Sequence, residues 1–277
     1  MSSNQGIYVK TSSGLGNQLF QIANGIQIAS RLNTPLICDR STNNGHTDRE
    51  YSLEKIEKTC NFSSSNISDD FWPENEIIEY REKNEFKFDN KILSTKPGTM
   101  ISGYFQHPSY SEESRSIILS ALSALLDKSH HEKIIHIHLR RGDLRTNSFL
   151  RKKIGLLDIS YYISAINYLD QTGYRMCKIK IFSDSPEEAA DLFKRVFYNR
   201  EIEIHRAHAD ALSNLIDLAN TSVLIAANST YSWWAAKIME FNNLENEIIF
   251  PDTMVRTIPD SNILLSSSWK LLKPNWR

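Results

Sequence analysis

The stretch His138-Leu139-Arg140-Arg141-Gly142-Asp143 puts two guanidiniums, an imidazole and a carboxylate within six residues. The apolar Ile134, Ile135 and Ile137 run straight into it, so a strand ends where the charges begin. A guanidinium presents a planar fork of N–H donors that matches phosphate oxygens two at a time. Open α/β sheets hold their ligands beyond the carboxyl ends of the strands. The pattern therefore suits a polyanion such as a nucleotide diphosphate. The alternative is a surface loop closed by a salt bridge from Arg140 or Arg141 to Asp143.

Three further segments share this placement after a strand. Gly14-Leu15-Gly16-Asn17-Gln18 joins an apolar strand to a helix. Glycines let backbone approach a ligand, and a helix start offers N–H groups and partial positive charge. The third Gly and the acidic residue of a dinucleotide fingerprint are missing, so a tight turn is the other reading. The amides of Asn17 and Gln18 can each donate and accept toward a sugar. Asn228-Ser229-Thr230-Tyr231-Ser232-Trp233-Trp234 follows the apolar Val223–Ala227. Asn228 or Ser229 is a natural N-cap; the hydroxyls of Ser229 and Thr230 suit phosphate, and the tryptophans suit core. In Phe182-Ser183-Asp184, Asp184 could orient a ribose or support the loop. His136 and His138 share a strand face without a local acidic or Cys partner, so a zinc pair is disfavoured.

The elements that must position these residues alternate in the second half. Strands are expected over Lys133–Leu139, Lys178–Phe182, Glu201–His205, Val223–Ala227 and Glu247–Phe250. Helices are expected over Ser160–Asp170, Pro186–Phe197, Ala211–Ala219 and Thr230–Phe241. Ser185, Pro186 and Glu188 read as a capping box. The first half opens the same way, with strand Ile7–Lys10, a helix over Asn17–Leu32 whose apolar face is Leu19, Ile22, Ala23, Ile26, Ala29 and Leu32, and strand Pro35–Asp39. Ser41–Asn90 is weakly patterned. Thr99–Phe105 reads as a strand and Glu112–Leu126 as a helix. Such alternation argues for parallel sheets covered on both faces, in two halves of 1–130 and 131–277 divided at the polar His130-His131 turn.

Composition narrows the class. A chain of 277 residues with net charge -1 carries no global basic field for nucleic acid. The basic run Arg140, Arg141, Arg145, Arg151, Lys152 and Lys153 is local, and its last three members fit a solvated face. Cys38, Cys60 and Cys177 are scattered, with no C-x-x-C, which fits a reducing compartment. Met1–Gln5 is polar, and apolar runs such as Val223–Ala227 are far shorter than the ~20 residues of a membrane span. A cytoplasmic protein is expected, with peripheral attachment to the inner membrane face left open.

Together the segments resemble the bacterial α-1,2-fucosyltransferases of glycosyltransferase family 11. Ser13-Gly14-Leu15-Gly16-Asn17-Gln18-Leu19-Phe20-Gln21 is similar to the family's G-G-L-G-N-Q-x-F-Q opening, and His138–Asp143 to its H-x-R-R-x-D motif. Gly103-Tyr104-Phe105-Gln106 with Tyr110, Phe182-Ser183-Asp184, and Ile225–Trp234 match further segments in the same order. The resemblance implies a GT-B-like α/β fold of two Rossmann-type halves with parallel sheets, the C-terminal half binding the nucleotide. It implies inverting transfer of fucose from GDP-β-L-fucose to the 2-hydroxyl of a terminal galactose, with no cofactor and no required metal. By that resemblance Arg140 binds the β-phosphate, His138 and Asp143 shape its loop, and Arg140 and Asp143 serve catalysis. Arg141, Ser183, Asp184, Asn228, Ser229, Thr230, Gly16 and Asn17 attend the donor; Gln18, Tyr104 and Gln106 attend the acceptor. Two departures stand out. Ser13 replaces a Gly, a mild change at a turn. Asn214 stands where the family has an Asp, which leaves the guanine-contacting carboxylate open among Asp210, Asp217 and that position. The catalytic base stays open among Asp143, Asp184, Asp39 and the Ser41–Asn90 region. The alternatives are a GDP-sugar transferase of another linkage or deoxysugar, and a non-catalytic nucleotide-sugar or glycan-binding protein.

Overall fold

Residues 6–40, 50–67, 78–127, 133–208, 210–242 and 245–277 are described by a computed structural model. Met1–Gln5 and the turn at His130-His131, like residues 41–49 and 68–77 of the weakly patterned region, lie outside them. The chain divides into two compact units, Met1–Ala124 and Leu125–Arg277.

The first unit is built from β1 (Ile7–Lys10), α1 (Leu15–Leu32), β2 (Leu36–Asp39), α2 (Glu54–Glu57), β3 (Ser63–Ser65), β4 (Ile78–Arg81), β5 (Thr99–Ser102) and α3 (Arg115–Ser123). Its strands pair in parallel in the order β3-β2-β1-β5-β4. Ile7, Tyr8 and Val9 are all buried, as a central parallel strand covered on both faces requires. The apolar stripe of α1 is buried from Leu19 to Ala29, and the helix stops at Asn33, whose left-handed backbone (φ 48) turns amide N–H groups back onto Ser30 and Ala29 carbonyls. The helix also begins two residues earlier than its apolar pattern, so Gly16 and Asn17 lie in its first turn. β3 and β4 fall in the weakly patterned region: a run of three serines becomes a strand by pairing with β2, through contacts that local periodicity does not encode.

The second unit contains β6 (Ile135–Leu139), α4 (Gly142–Thr146), α5 (Ser148–Ile154), α6 (Ile159–Gln171), β7 (Ile179–Ser183), α7 (Pro186–Val196), β8 (Ile202–Ile204), α8 (Ala211–Ala219), β9 (Val223–Ile225), α9 (Thr230–Phe241), β10 (Glu247–Pro251) and β11 (Lys270–Leu272). Its sheet is parallel in the order β11-β10-β9-β6-β7-β8. This is a doubly wound Rossmann order: β7 and β8 are laid on one side of β6, and β9 to β11 on the other. Ile135, Ile137, Leu139, Tyr161, Ile166, Ile179, Phe193 and Ile225 fill one core against the sheet. The basic segment after Asp143 is not loop but two short helices, α4 and α5. The capping box at Ser185 does not form either. The Ser185 side chain makes no cap bond, and the Glu188 carboxylate turns to Arg141 and Arg145 instead, since a charged partner outbids a backbone N–H.

Candidate active site

A doubly wound sheet opens a crevice where its strand order reverses, at the carboxyl ends of the two diverging strands. In the second unit that point lies between β6 and β9. The segment His138–Asp143 leaves β6 there, and Asn228–Ser232 leaves β9. The two segments are joined directly, since His138 Nδ1 lies 2.6 Å from Ser232 Oγ, which in turn accepts the Ala227 N–H at 3.1 Å. The Tyr162 hydroxyl donates to the His138 carbonyl at 3.2 Å. Desolvation of the His138 ring, and then the Arg140 charge, push its pKa down to about 3. The imidazole is therefore neutral at physiological pH, and it aligns backbone here without adding charge.

Arg140 is partly exposed at the mouth of this crevice, its Nη2 3.3 and 3.4 Å from the two Asp143 carboxylate oxygens. The salt bridge of the second reading thus forms, and its long geometry leaves the Arg140 guanidinium partly exposed at the strand end. Asp143 sits in the first turn of α4. Ser229 is the N-cap of α9, its Oγ accepting the Tyr231 N–H at 3.1 Å, and Thr230 is the first residue of that helix. The amino end of α9 therefore opens at the same reversal as Arg140, with the dipole favourable to an anion.

Four residues expected at the donor or acceptor are placed otherwise. Arg141 is 0% exposed. Its Nη1 donates to the Leu157 carbonyl at 2.8 Å, and its Nε lies 3.5 Å from Glu188. Arg141 is the N-cap residue of α4, and its side chain turns inward at that junction. The Ser183 hydroxyl donates to the Leu139 carbonyl and accepts the Ser185 N–H, stitching the ends of β6 and β7 together. The Asn228 amide donates to the Ile154 and Gly155 carbonyls, fastening the end of α5. Gln18 is 0% exposed. Its amide donates to the Ser13 and Glu50 carbonyls and accepts the Ser52 N–H. All four side chains hold loops in place. Asp184 also supports: it accepts the Arg141 N–H at 2.8 Å, and a methyl on Gly142 would lie 2.5 Å from its Oδ2.

The first unit reverses its strand order between β1 and β5. Asn17, Tyr104 and Gln106 gather at those strand ends. Gln106 Nε2 donates to Asn17 Oδ1 at 2.9 Å, and Tyr104 Oη lies 3.1 Å from Ser13 Oγ. Ser13 is in the left-handed region (φ 64). The Gly-to-Ser departure thus falls where glycine is conformationally favoured. Two supporting residues were not singled out by their pattern. Gln21 bridges Ser12 and the Gly103 carbonyl, and Glu82 accepts the Tyr104 and Phe105 N–H groups at 2.7 and 2.9 Å. Gln21 was already inside the opening motif, but Glu82 carries no local signal. Asp39 is buried at the end of β2 and accepts the Ile67 N–H. In the second unit, Asp210 caps α8 through the Ser213 N–H, and the Asn214 amide is spent on the His208 and Asp210 backbone. Asp217 pairs with His208.

The family model described as Glycosyl transferase family 11 matches residues 3–253. The chain belongs to that family. This family 11 chain is therefore a glycosyltransferase. It is 27% identical to the O-antigen biosynthesis glycosyltransferase WbnK of Escherichia coli over 88% of its length and 92% of that protein's. It is 25% identical to an α-1,2-colitosyltransferase of Escherichia coli, over 85% of this chain and 88% of that one. Among solved structures, the fucosyltransferase NodZ from Bradyrhizobium superposes with a TM-score of 0.54 at 15% identity, covering 84% of this chain and 91% of that one. A NodZ α-1,6-fucosyltransferase soaked with GDP-fucose gives a TM-score of 0.50 at 14% identity, over 85% and 92% of the two chains. The family 11 fold is thus GT-B-like, two parallel-sheet α/β halves of the fucosyltransferase kind. Among the described residues no helix is long and apolar enough to cross a membrane.

Proposed function

We propose that the protein transfers L-fucose from GDP-β-L-fucose to the 2-hydroxyl of a terminal β-galactose, free or lipid-linked, with inversion at the anomeric carbon. The observation that carries this reading is the partly exposed Arg140 guanidinium at the same strand-order reversal as the amino end of α9, in a chain of glycosyl transferase family 11. The acceptor oxygen attacks C1 of fucose from the face opposite the diphosphate. The C1–O bond to the β-phosphate breaks, its electron pair stays on the phosphate oxygen, and the acceptor proton passes to a general base. Charge grows on the β-phosphate as the bond lengthens. Arg140 and the N–H groups of α9 meet that charge without reorganising, which is the role a divalent ion plays in metal-dependent transferases. Asp143 orients the guanidinium, and neutral His138 joins its loop to α9. Asn17, Tyr104 and Gln106 supply donors and acceptors for sugar hydroxyls. Displacement from a β-fucoside gives an α-fucoside in one step, so no paired nucleophile is required.

The test is the product formed from GDP-fucose and lactose or N-acetyllactosamine. An α-fucosyl group on the galactose 2-hydroxyl by NMR is expected, and a 2-deoxygalactose acceptor should not react. Fucose on the 3- or 6-hydroxyl would overturn the linkage and leave the donor assignment standing.

A second reading is favoured by the similarity to an α-1,2-colitosyltransferase. Colitose is fucose without its 3-hydroxyl. A site that hydrogen-bonds that hydroxyl discriminates strongly against the analogue, typically by ~10⁴ or more, whereas one that merely encloses it does not. The ratio of kcat/KM for GDP-fucose and GDP-colitose therefore decides between the two.

A further inference from the structure

α5 buries none of its seven residues. Phe149 stands 72% exposed on it. Lys152 and Lys153 follow three and four residues later, so the three side chains share one face of the helix. Lys152 is exposed and Lys153 partly buried; Leu150 and Ile154 lie round the helix from that face and are partly buried. Arg256 adds an exposed cation beside the helix end, where its N–H donates to the Ile154 carbonyl at 3.0 Å. A single exposed Phe is ordinary on a protein surface. A Phe set among cations, on a helix face that the fold leaves uncovered, has the composition of a membrane-surface helix.

We propose that the α5 face of Phe149, Lys152 and Lys153, flanked by Arg151 and Arg256, docks the protein on an anionic phospholipid surface. The lysine ammoniums meet lipid phosphates. The Phe149 ring enters the boundary between headgroups and acyl chains, where its apolar area leaves water. That ring decides between occupants. A soluble polyanion pairs with the cations and leaves Phe149 in water, whereas a bilayer takes up both. The chain's net charge is -1, so the attraction comes from this local group and not from a global field. Arg145 is left out of the group, because Glu188 already pairs with it at 3.0 Å.

The face is held in place before a membrane is met. Asn147 caps α5, its Oδ1 accepting the Phe149 and Leu150 N–H groups at 3.0 and 3.1 Å. Thr257 donates from its N–H and its hydroxyl to the Lys153 carbonyl, both at 3.1 Å. The Asn228 amide holds the Ile154 and Gly155 carbonyls from the segment that opens α9. No loop has to order on docking, so the entropy lost there is small. The last of these bonds also ties the docked helix to the donor crevice, which keeps the crevice at the lipid surface. The surface stands on these residues and not on the linkage proposed above.

The experiment is flotation of the full chain, free of any affinity tag, with vesicles of phosphatidylcholine alone or mixed three to one with phosphatidylglycerol. Binding is expected on the anionic vesicles only, and it should weaken as salt rises. A cation near an anionic surface contributes roughly 5-fold in partition, so the double variant Lys152→Gln, Lys153→Gln should bind about 25-fold more weakly. Phe149→Ser should lose at least as much as the removal of one lysine. The control Lys58→Gln, Lys91→Gln removes two exposed lysines of the first unit and should float as the parent does. Melting temperature and GDP affinity should match the parent in every variant. Equal binding to both vesicles, or binding that survives the Phe149 and lysine variants, overturns the proposal. So does a loss of GDP affinity in Phe149→Ser, which would place this face in the nucleotide site. Binding to soluble polyphosphate that equals binding to vesicles and ignores Phe149→Ser overturns it as well, since the partner is then a polyanion.

Discussion

Arg140 and Arg141 are neighbours in the chain with opposite surroundings. Arg140 stays at the strand mouth against Asp143, and Arg141 is enclosed with Glu188 and the Leu157 carbonyl. Their variants should fail differently. Arg140→Ala should nearly abolish transfer with an unchanged denaturation midpoint, and Arg140→Lys should remain severely impaired because the planar fork is lost. By analogy with interface charge pairs truncated on one side, the loss corresponds to ~2–5 kcal/mol. Arg141→Ala should instead lower stability, because it opens a cavity and leaves the buried Leu157 carbonyl without its donor. Near-normal kcat/KM in Arg140→Ala beside a folded, inactive Arg141→Ala would reverse the assignment. The buried histidines make a second prediction at this scale. Burial holds His136 down to about 4 and His138 down to about 3. Below a pH of ~6.5 the unfolded chain protonates these rings and the native chain does not. Each therefore withdraws stability as pH falls from ~6.5 toward its native value, and the loss is complete only below that value. His136 donates from Nδ1 to the Leu218 carbonyl, a bond that Gln can replace. Urea midpoints of His136→Gln should decline less steeply between pH 6 and 4 than those of the parent, and parallel slopes would remove the histidine from the account.

At the scale of elements, the loops are held as firmly as the strands. α5 ends at Gly155 with φ +91, a backbone conformation that side chains resist, and a methyl there would lie 2.4 Å from the Trp276 ring. The Ile154 and Gly155 carbonyls receive the Asn228 amide from the segment that opens α9. Gly155→Ala therefore strains the backbone and displaces an aromatic ring. Left-handed strain costs on the order of 1–3 kcal/mol, which sets the expected drop in chemical-denaturation stability. Because Asn228 reports the same position to α9, the KM for GDP-fucose should rise as well. A variant with unaltered stability would show that the 154–156 turn can relax without cost.

Across the whole molecule, both parallel sheets reverse their strand order at the residues singled out for chemistry: Arg140, Ser229 and Thr230 in one unit, Asn17, Tyr104 and Gln106 in the other. Each unit thus places its polar residues by topology, the same rule applied twice. Transfer by guanidinium and helix dipole predicts independence from divalent ions. Initial rates after exhaustive EDTA treatment should match those before it. Activity lost to EDTA and restored by magnesium or manganese would contradict the mechanism.

The alternation of apolar strands with helices was legible along the second half because a doubly wound sheet repeats one local pattern, buried strand then amphipathic helix. Ala211–Ala219 and Thr230–Phe241 can be drawn from periodicity and caps alone. The chemistry-bearing segments were legible for a related reason: they interrupt that pattern with charge and amide where a strand should simply end. The strand β3, made of serines, left no trace in the sequence, since its partner β2 creates it. Residue types alone named both Arg140 and Arg141, and the family resemblance put Arg140 at the phosphate, but neither could show that Arg141, Gln18, Ser183 and Asn228 direct their polar groups to neighbouring backbone. A side chain's type limits what it can bind. Whether it faces a ligand or a carbonyl depends on which distant segment packs against it, and only the tertiary structure decides that.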